Sequence, residues 1–151
     1  MTKAKYARQR GGVSFYAEVE LDSITTSNLE SFVTDYCTWN MIKSATPKYT
    51  IGSRYNKWKE AAISGIKFAL TRISHKNKIE IKFIDLNGHP AHSNLHSIFA
   101  AGFLCTFKHF EIEIKQDDLE NLYDFVASSI GIENINESPN ENNLIISQYN
   151  K

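Results

Sequence analysis

The strongest pattern along the chain is a strict alternation from Val13 to Asp22. Val13, Phe15, Ala17, Val19 and Leu21 fall on one side; Ser14, Tyr16, Glu18, Glu20 and Asp22 fall on the other. A period of two puts one face on a core and the other in water, and predicts a half-buried strand. Ser27 stands three residues before Glu30, a capping-box arrangement ahead of Leu29, Phe32, Val33, Tyr36 and Cys37, and predicts a helix from Asn28 to Thr38. Pro47 and Gly52 mark a connection. The period then lengthens. Trp58, Ala62, Ile66, Ala69 and Ile73 recur at intervals of three or four and build one apolar stripe on a helix from Tyr55 to Ile73. Gly65 interrupts that helix, where glycine costs roughly 1 kcal/mol relative to alanine. Its expected use is close approach of the helix to a sheet.

His75-Lys76-Asn77 reads as a turn, and Ile79, Ile81 and Phe83 alternate with Glu80 and Lys82 in a second strand. Asn87-Gly88 breaks it. Ser93 is a suitable N-cap for a helix to Lys108 carrying Leu95, Ile98, Ala101, Gly102 and Cys105. Phe110, Ile112 and Ile114 against Glu111, Glu113 and Lys115 predict a third strand. Asp117 is expected to cap a last helix with Leu119, Leu122, Phe125 and Val126, stopped by Gly131. From Glu133 asparagine and glutamate dominate, which predicts a mobile tail, with Leu144-Ile145-Ile146 able to add a short strand. The organisation is then a basic flexible arm over 1–12, one folded domain over 13–132 and a polar tail over 133–151.

A chain of 151 residues is long enough to bury a core without staples. Cys37 and Cys105 lie in apolar stretches without metal spacing and read as reduced, buried thiols, which with the absence of a signal peptide or an apolar span points to the cytoplasm. The net charge of zero hides an asymmetry. Residues 1–78 hold 13 Lys/Arg against 6 Asp/Glu, whereas residues 79–151 hold 4 against 11. A basic first half suits a polyanion, because each neutralised phosphate releases counterions. Equally, the two halves can neutralise each other inside one fold.

Two stretches carry candidate chemistry. Lys3, Lys5, Arg8, Gln9, Arg10, Gly11 and Gly12 combine point charges with a backbone free to approach phosphate. His89-Pro90-Ala91-His92-Ser93 is a histidine loop feeding a helix that holds Ala100-Ala101-Gly102. In order, with a glycine-bearing helix between them, they resemble domain IV of elongation factor G and of the ribosomal-protection translational GTPases. That family carries Q-x-G-G-x-G-Q-[FY]-A-x-V entering its first strand and H-x-V-D-S at a tip entering a helix. The resemblance runs from Gln9 to Phe107. Ser14 and Phe15 stand where the family has its third glycine and second glutamine, and His92 replaces the family aspartate.

The resemblance implies an α+β, two-layer sandwich, a ribosomal protein S5 domain 2-like fold with helices on one face of a mainly antiparallel sheet. It also implies that the Gly11-Gly12 and His89–His92 loops meet at one end. The family acts by inserting that tip beside RNA, so this chain is expected to be a non-catalytic module touching ribosomal RNA or a tRNA–mRNA surface through Lys5, Arg8, Gln9, Arg10, Gly11, Gly12, His89, His92 and Ser93. An immunity protein or antitoxin that grips a protein toxin through the acidic second half is the alternative. No Gly-x-x-x-x-Gly-Lys-Ser/Thr loop is present, so no nucleotide is expected. No Ser/His/Asp or Cys/His set has a recognisable context, so no enzyme is expected. His92 and His96 are four apart, but no cysteine or nearby carboxylate completes a metal set with His89. Neither metal nor cofactor is expected.

Overall fold

A computed structural model describes residues 1–10, 12–37, 53–89, 91–137 and 139–151. The expected strand at Val13 runs three residues further, as β2 (Val13–Thr25), and pairs on both sides. Its partners are β1 (Thr2–Arg10) and β5 (Ile79–Gly88), both antiparallel. The short β3 (Phe32–Asp35) adds to the far edge of β5 in parallel, giving the order β1-β2-β5-β3. Two helices, α1 (Ser53–Arg72) and α2 (Leu95–His109), cover one face. A third, α3 (Gln116–Ala127), follows α2, and β4 (Ile73–Ser74) pairs in parallel with β6 (Tyr149–Asn150). The fold is an α+β two-layer sandwich on a mixed, mainly antiparallel sheet.

The expected flexible arm over 1–12 is instead a strand over Thr2–Arg10. The first strand locks Thr2 opposite Leu21 through Arg10 opposite Val13, and Tyr6 is buried on its inner side. Lys3 and Lys5 alternate with Ala4 and Tyr6, so these two lysines belong to the water-facing half of a strand pattern. Nor is 28–37 a helix. Leu29 is 94% exposed and Phe32–Asp35 hydrogen-bonds to β5 instead, because a parallel partner satisfies backbone groups that a capping box cannot reach. Thr38 and the Pro47–Gly52 connection lie outside the described residues.

A register shift between Glu20 and Leu21 of β2 sets the core. Glu20 faces Asp85 but Leu21 faces Phe83, leaving Ile84 as an extra residue in β5. Phe83 and Leu86 are three apart and would otherwise point to opposite faces; with the bulge both are fully buried. Ala17, Val19, Leu21 and Ile81 complete the sheet side of the core.

Gly65 does not face the sheet. It meets α2: a β-carbon there would fall well inside contact with the carbonyl oxygen of Phe99. Gly102 reciprocates, since a β-carbon on it would lie 2.5 Å from the Ala62 carbonyl oxygen. The pairs run in opposite directions along the two helices, so α1 and α2 pass antiparallel with backbone against backbone.

The segment 110–115 keeps its alternation, with Phe110, Ile112 and Ile114 against the core, but pairs with no strand among the described residues. Asn94, not Ser93, caps α2, in a reciprocal box with Ser97. The N-cap of α3 is Lys115; Asp117 sits in the first turn, where it favours the helix dipole, and the helix ends at Ala127 before Gly131. The expected mobile tail is packed down. Leu144, Ile146 and Tyr149 are buried, and the buried Asp118 carboxylate accepts hydrogen bonds from the Tyr149 hydroxyl and from Ser147 N–H (3.0 Å). Burial, reinforced by that bond, pushes the Tyr149 phenol up to about 12. No strand forms at 144–146; the ladder is two residues long, at Tyr149–Asn150. Cys37 and Cys105 are buried, and burial pushes the Cys105 thiol up to about 12.

Because backbone cannot yield as a side-chain end does, Gly65→Ala and Gly102→Ala should each destabilise by about 1–3 kcal/mol through overpacking. Urea unfolding measures it. An unchanged midpoint for both would show that the helices are not in backbone contact.

Candidate nucleic-acid interface

The loop after β5 is built from its own hydrogen bonds. Both His92 N–H (3.0 Å) and Ser93 N–H (2.8 Å) donate to the His89 carbonyl, closing a tight turn. The Ser93 hydroxyl accepts from His89 N–H (2.7 Å) and donates to the Tyr16 carbonyl, while Tyr16 N–H donates to the His92 carbonyl (2.9 Å). Ser93 is therefore the clamp between loop and β2 rather than a helix cap, and it is buried. Just before the loop, Gly88 lets the Trp58 ring of α1 lie against the backbone; a β-carbon there would sit 2.7 Å from it.

This clamp fixes the position of the tip. Tyr16 is four residues from Gly12, so the β1–β2 turn projects roughly 13 Å beyond the histidine loop at ~3.3 Å per residue. Both lie at the same end of the sheet. Gly12 has φ of 80°, the left-handed region that favours glycine, and Gly11 and Pro90 are outside the described residues. His89 and His92 are exposed and stacked, with ring centroids 4.7 Å apart. Ala91 N–H donates to His89 Nδ1 (3.1 Å), which leaves the proton of the neutral ring on Nε2, as an outward donor.

The arm's cations are divided between the two faces. Arg8 and Arg10 share the inner face with Tyr6 and reach α3: the Arg8 guanidinium lies 3.6 Å from the Tyr123 ring centre, and Arg10 pairs with Asp124 at 2.7 Å. On the open face Lys3 reaches Glu18 (3.9 Å) and Glu20 (3.7 Å), and Lys5 is exposed opposite Glu18. Gln9 is exposed opposite Ser14, near the turn. The basic and acidic halves of the chain thus meet, at least at Arg10–Asp124. The Arg10–Asp124 pair is exposed on both sides, and an exposed pair contributes only ~0–1 kcal/mol.

His96 stands apart from the loop histidines. It is fully buried in α2, donating from Nε2 to the Pro139 carbonyl (2.6 Å), with Nδ1 unpartnered among the described residues. It cannot share a metal with His92, and no group of three potential ligands is found among the described residues. No described helix is long and apolar enough to cross a membrane.

A second histidine cluster has no counterpart in the sequence patterns. The Ser31 hydroxyl lies 2.7 Å from His75 Nε2, and His75 Nδ1 lies 2.9 Å from the Ile73 carbonyl oxygen. Forty-four positions separate Ser31 from His75, so spacing gave no signal.

The fold and its tip define a small two-layer α+β domain with a clamped loop pair at one end. No family model and no curated protein matches the chain. Among solved structures it is similar to ttk003000868 from Thermus thermophilus, with a TM-score of 0.54 and 18% identity over 85% of this chain. The chain spans 20% of that protein's length. At that identity the likeness shows the fold alone.

Burial disfavours the charged ring and holds His96 and His109 below their ordinary value of 6.5. The unfolded chain therefore takes up protons first as pH falls. Stability should be full above pH ~6.5 and decline below it as the folded-state values are approached. Urea midpoints at pH ~7 and ~5.5 test the sign, and His96→Gln should flatten the difference. A midpoint that rises on acidification contradicts the assignment.

Proposed function

We propose that the chain is a binding module whose contact surface is the end formed by the β1–β2 turn and the His89–His92 loop, and that its partner is structured RNA, on the ribosome in the first instance. The observation that carries this reading is the pair of exposed, stacked imidazoles held by the Ser93–Tyr16 clamp at the same end of the sheet as the turn. Such a platform offers a π-face to an unstacked base and an Nε2–H donor to a phosphate or 2′-hydroxyl. Arg10, Gln9 and the turn supply positioning contacts to the backbone. The resemblance to domain IV of the translational GTPases supports the same end of the molecule, and a cytoplasmic setting follows from it. Lacking a phosphate-binding loop, the chain would bind without hydrolysing nucleotide.

A protein partner is the second reading. It is favoured by the pairing of Arg10 and Lys3 within the fold and by exposed Asp117 and Glu120 on α3; Asp118 is committed to Tyr149 and drops out of that surface. A basic toxin would fit such an acidic face.

A salt titration against ribosomes and structured RNA separates them. Lys5→Ala with Arg10→Ala should weaken binding and reduce the log–log salt slope by about 0.7–0.9 per lost phosphate contact. His89→Ala should weaken binding with little change of slope, because a neutral ring stacks and donates rather than neutralises. If the wild-type chain binds neither at ~50 mM salt, where phosphate attraction is strong, the RNA reading fails and a protein partner takes its place.

A further inference from the structure

We propose that Ser31 and His75 form a nucleophile–base pair that accepts an acyl group from a carboxylic ester, at the end of β5 opposite the histidine loop. The proposal is independent of RNA binding. Its first support is the fixed direction of two hydrogen bonds. A carbonyl oxygen only accepts, so His75 Nδ1, 2.9 Å from Ile73 O, carries the ring proton. In the neutral ring His75 Nε2 is then a lone pair, to which the Ser31 hydroxyl at 2.7 Å donates. Nucleophile, base and orienting group stand in the relation that activates a serine, with a backbone carbonyl in the third role.

The second support is preorganisation. Ile79 N–H donates to Ser31 Oγ (3.0 Å) and fixes the hydroxyl. Thr26 N–H donates to the Lys78 carbonyl (3.0 Å) and holds the turn after His75. The His75 ring packs on Phe110, with centroids 5.3 Å apart. The third is space: Ser31 and His75 both line an open cleft of about 550 Å³, within the ~300–1,000 Å³ range of small-ligand sites. Val33 and Leu70 offer apolar wall for a short acyl chain, and Lys67 and Lys78 outnumber Glu30, so the charged lining of the cleft is net positive. A hydroxyl that merely joined β3 to the start of β5 would need the Ile79 bond alone.

In the step proposed, Ser31 Oγ adds to the ester carbonyl carbon as its proton passes to His75 Nε2. The carbonyl electron pair moves to oxygen, where the lysine charge in the cleft favours it. Collapse restores the carbonyl and breaks the bond to the alcohol, which leaves with the proton from Nε2. Water repeats the addition, releasing the carboxylic acid and returning Ser31 and His75 to their starting states.

The test is reaction of the purified wild-type chain with a fluorophosphonate probe, mapped by mass spectrometry, beside hydrolysis of p-nitrophenyl butyrate. Labelling at Ser31 is expected. Ser31→Ala should abolish it, and His75→Ala should lower both labelling and hydrolysis by about a hundredfold, the scale of general-base assistance. Ser31→Cys guards against misfolding of the alanine variant: its thiol should alkylate with iodoacetamide far faster than buried Cys37 and Cys105, and His75→Ala should slow it. Absence of phosphonylation at Ser31 in the folded wild-type chain overturns the proposal. So does labelling that survives His75→Ala unchanged.

Discussion

Everything in this fold rests on the contact of α1 with α2 through Gly65 and Gly102. Two helices normally stand 8–10 Å apart because side chains fill the space between them. Here each helix presents a glycine to a carbonyl of the other, at Phe99 and at Ala62, and fully buried Ala61, Ala100 and Ala101 flank the crossing. The helix layer is therefore narrow, and α2 is wrapped by α1, the sheet, α3 and the C-terminal segment. Twelve of its fifteen residues are buried. A helix so enclosed cannot be amphipathic, and its interior polar groups must find partners. Most do: Thr106 donates to the Gly102 carbonyl at 2.8 Å, Ser97 completes the N-terminal box, and His96 donates from Nε2 to Pro139, its Nδ1 alone among these having no partner among the described residues.

The bulge at Ile84 carries that constraint into the sheet. By placing Leu86 and Gly88 on the same inner face as Phe83, it turns the end of β5 toward Trp58 of α1. The histidine loop then leaves the sheet directly above α1 and is clamped to β2 by Ser93. Arg8 and Arg10 reach α3 for a related reason. They continue the inward side of β1 past Tyr6, where the core ends and the aromatic and acidic residues of α3 begin.

Patterns that depend on one stretch of chain were legible in the sequence. The alternation at β2, the stripe of α1 and the apolar run of α2 all predict their elements, and the pairing of the turn with the histidine loop at one end follows the family resemblance. What was missed is non-local. The alternation over 110–115 reports burial faithfully, yet no neighbouring strand among the described residues accepts its backbone, so no ladder forms. The capping box at Ser27 and Glu30 is a local preference that loses to β5, whose free edge recruits Phe32–Asp35. Residues 1–12 look like a basic arm by composition but like a strand by period, and the period is what governs. The tail is held by Asp118 and Tyr149, thirty-one positions apart, and polar composition cannot announce such a bond.

Hydroxyl–imidazole contacts occur at two histidines among the described residues, and the difference between them explains why chemistry is assigned to one. His109 meets Thr2 Oγ1 at 2.8 Å through Nδ1 and Ser23 Oγ at 2.6 Å through Nε2. Each hydroxyl can donate or accept, so neither nitrogen is committed and neither serine nor threonine is held in the donating state. That arrangement ties the start of β1 to the end of β2 and to α2, and nothing more is needed to explain it. At His75 the Ile73 carbonyl removes the ambiguity, because only one tautomer satisfies it. The same ring in the same fold is a structural pin where both neighbours are hydroxyls, and a directed base where one of them is a carbonyl.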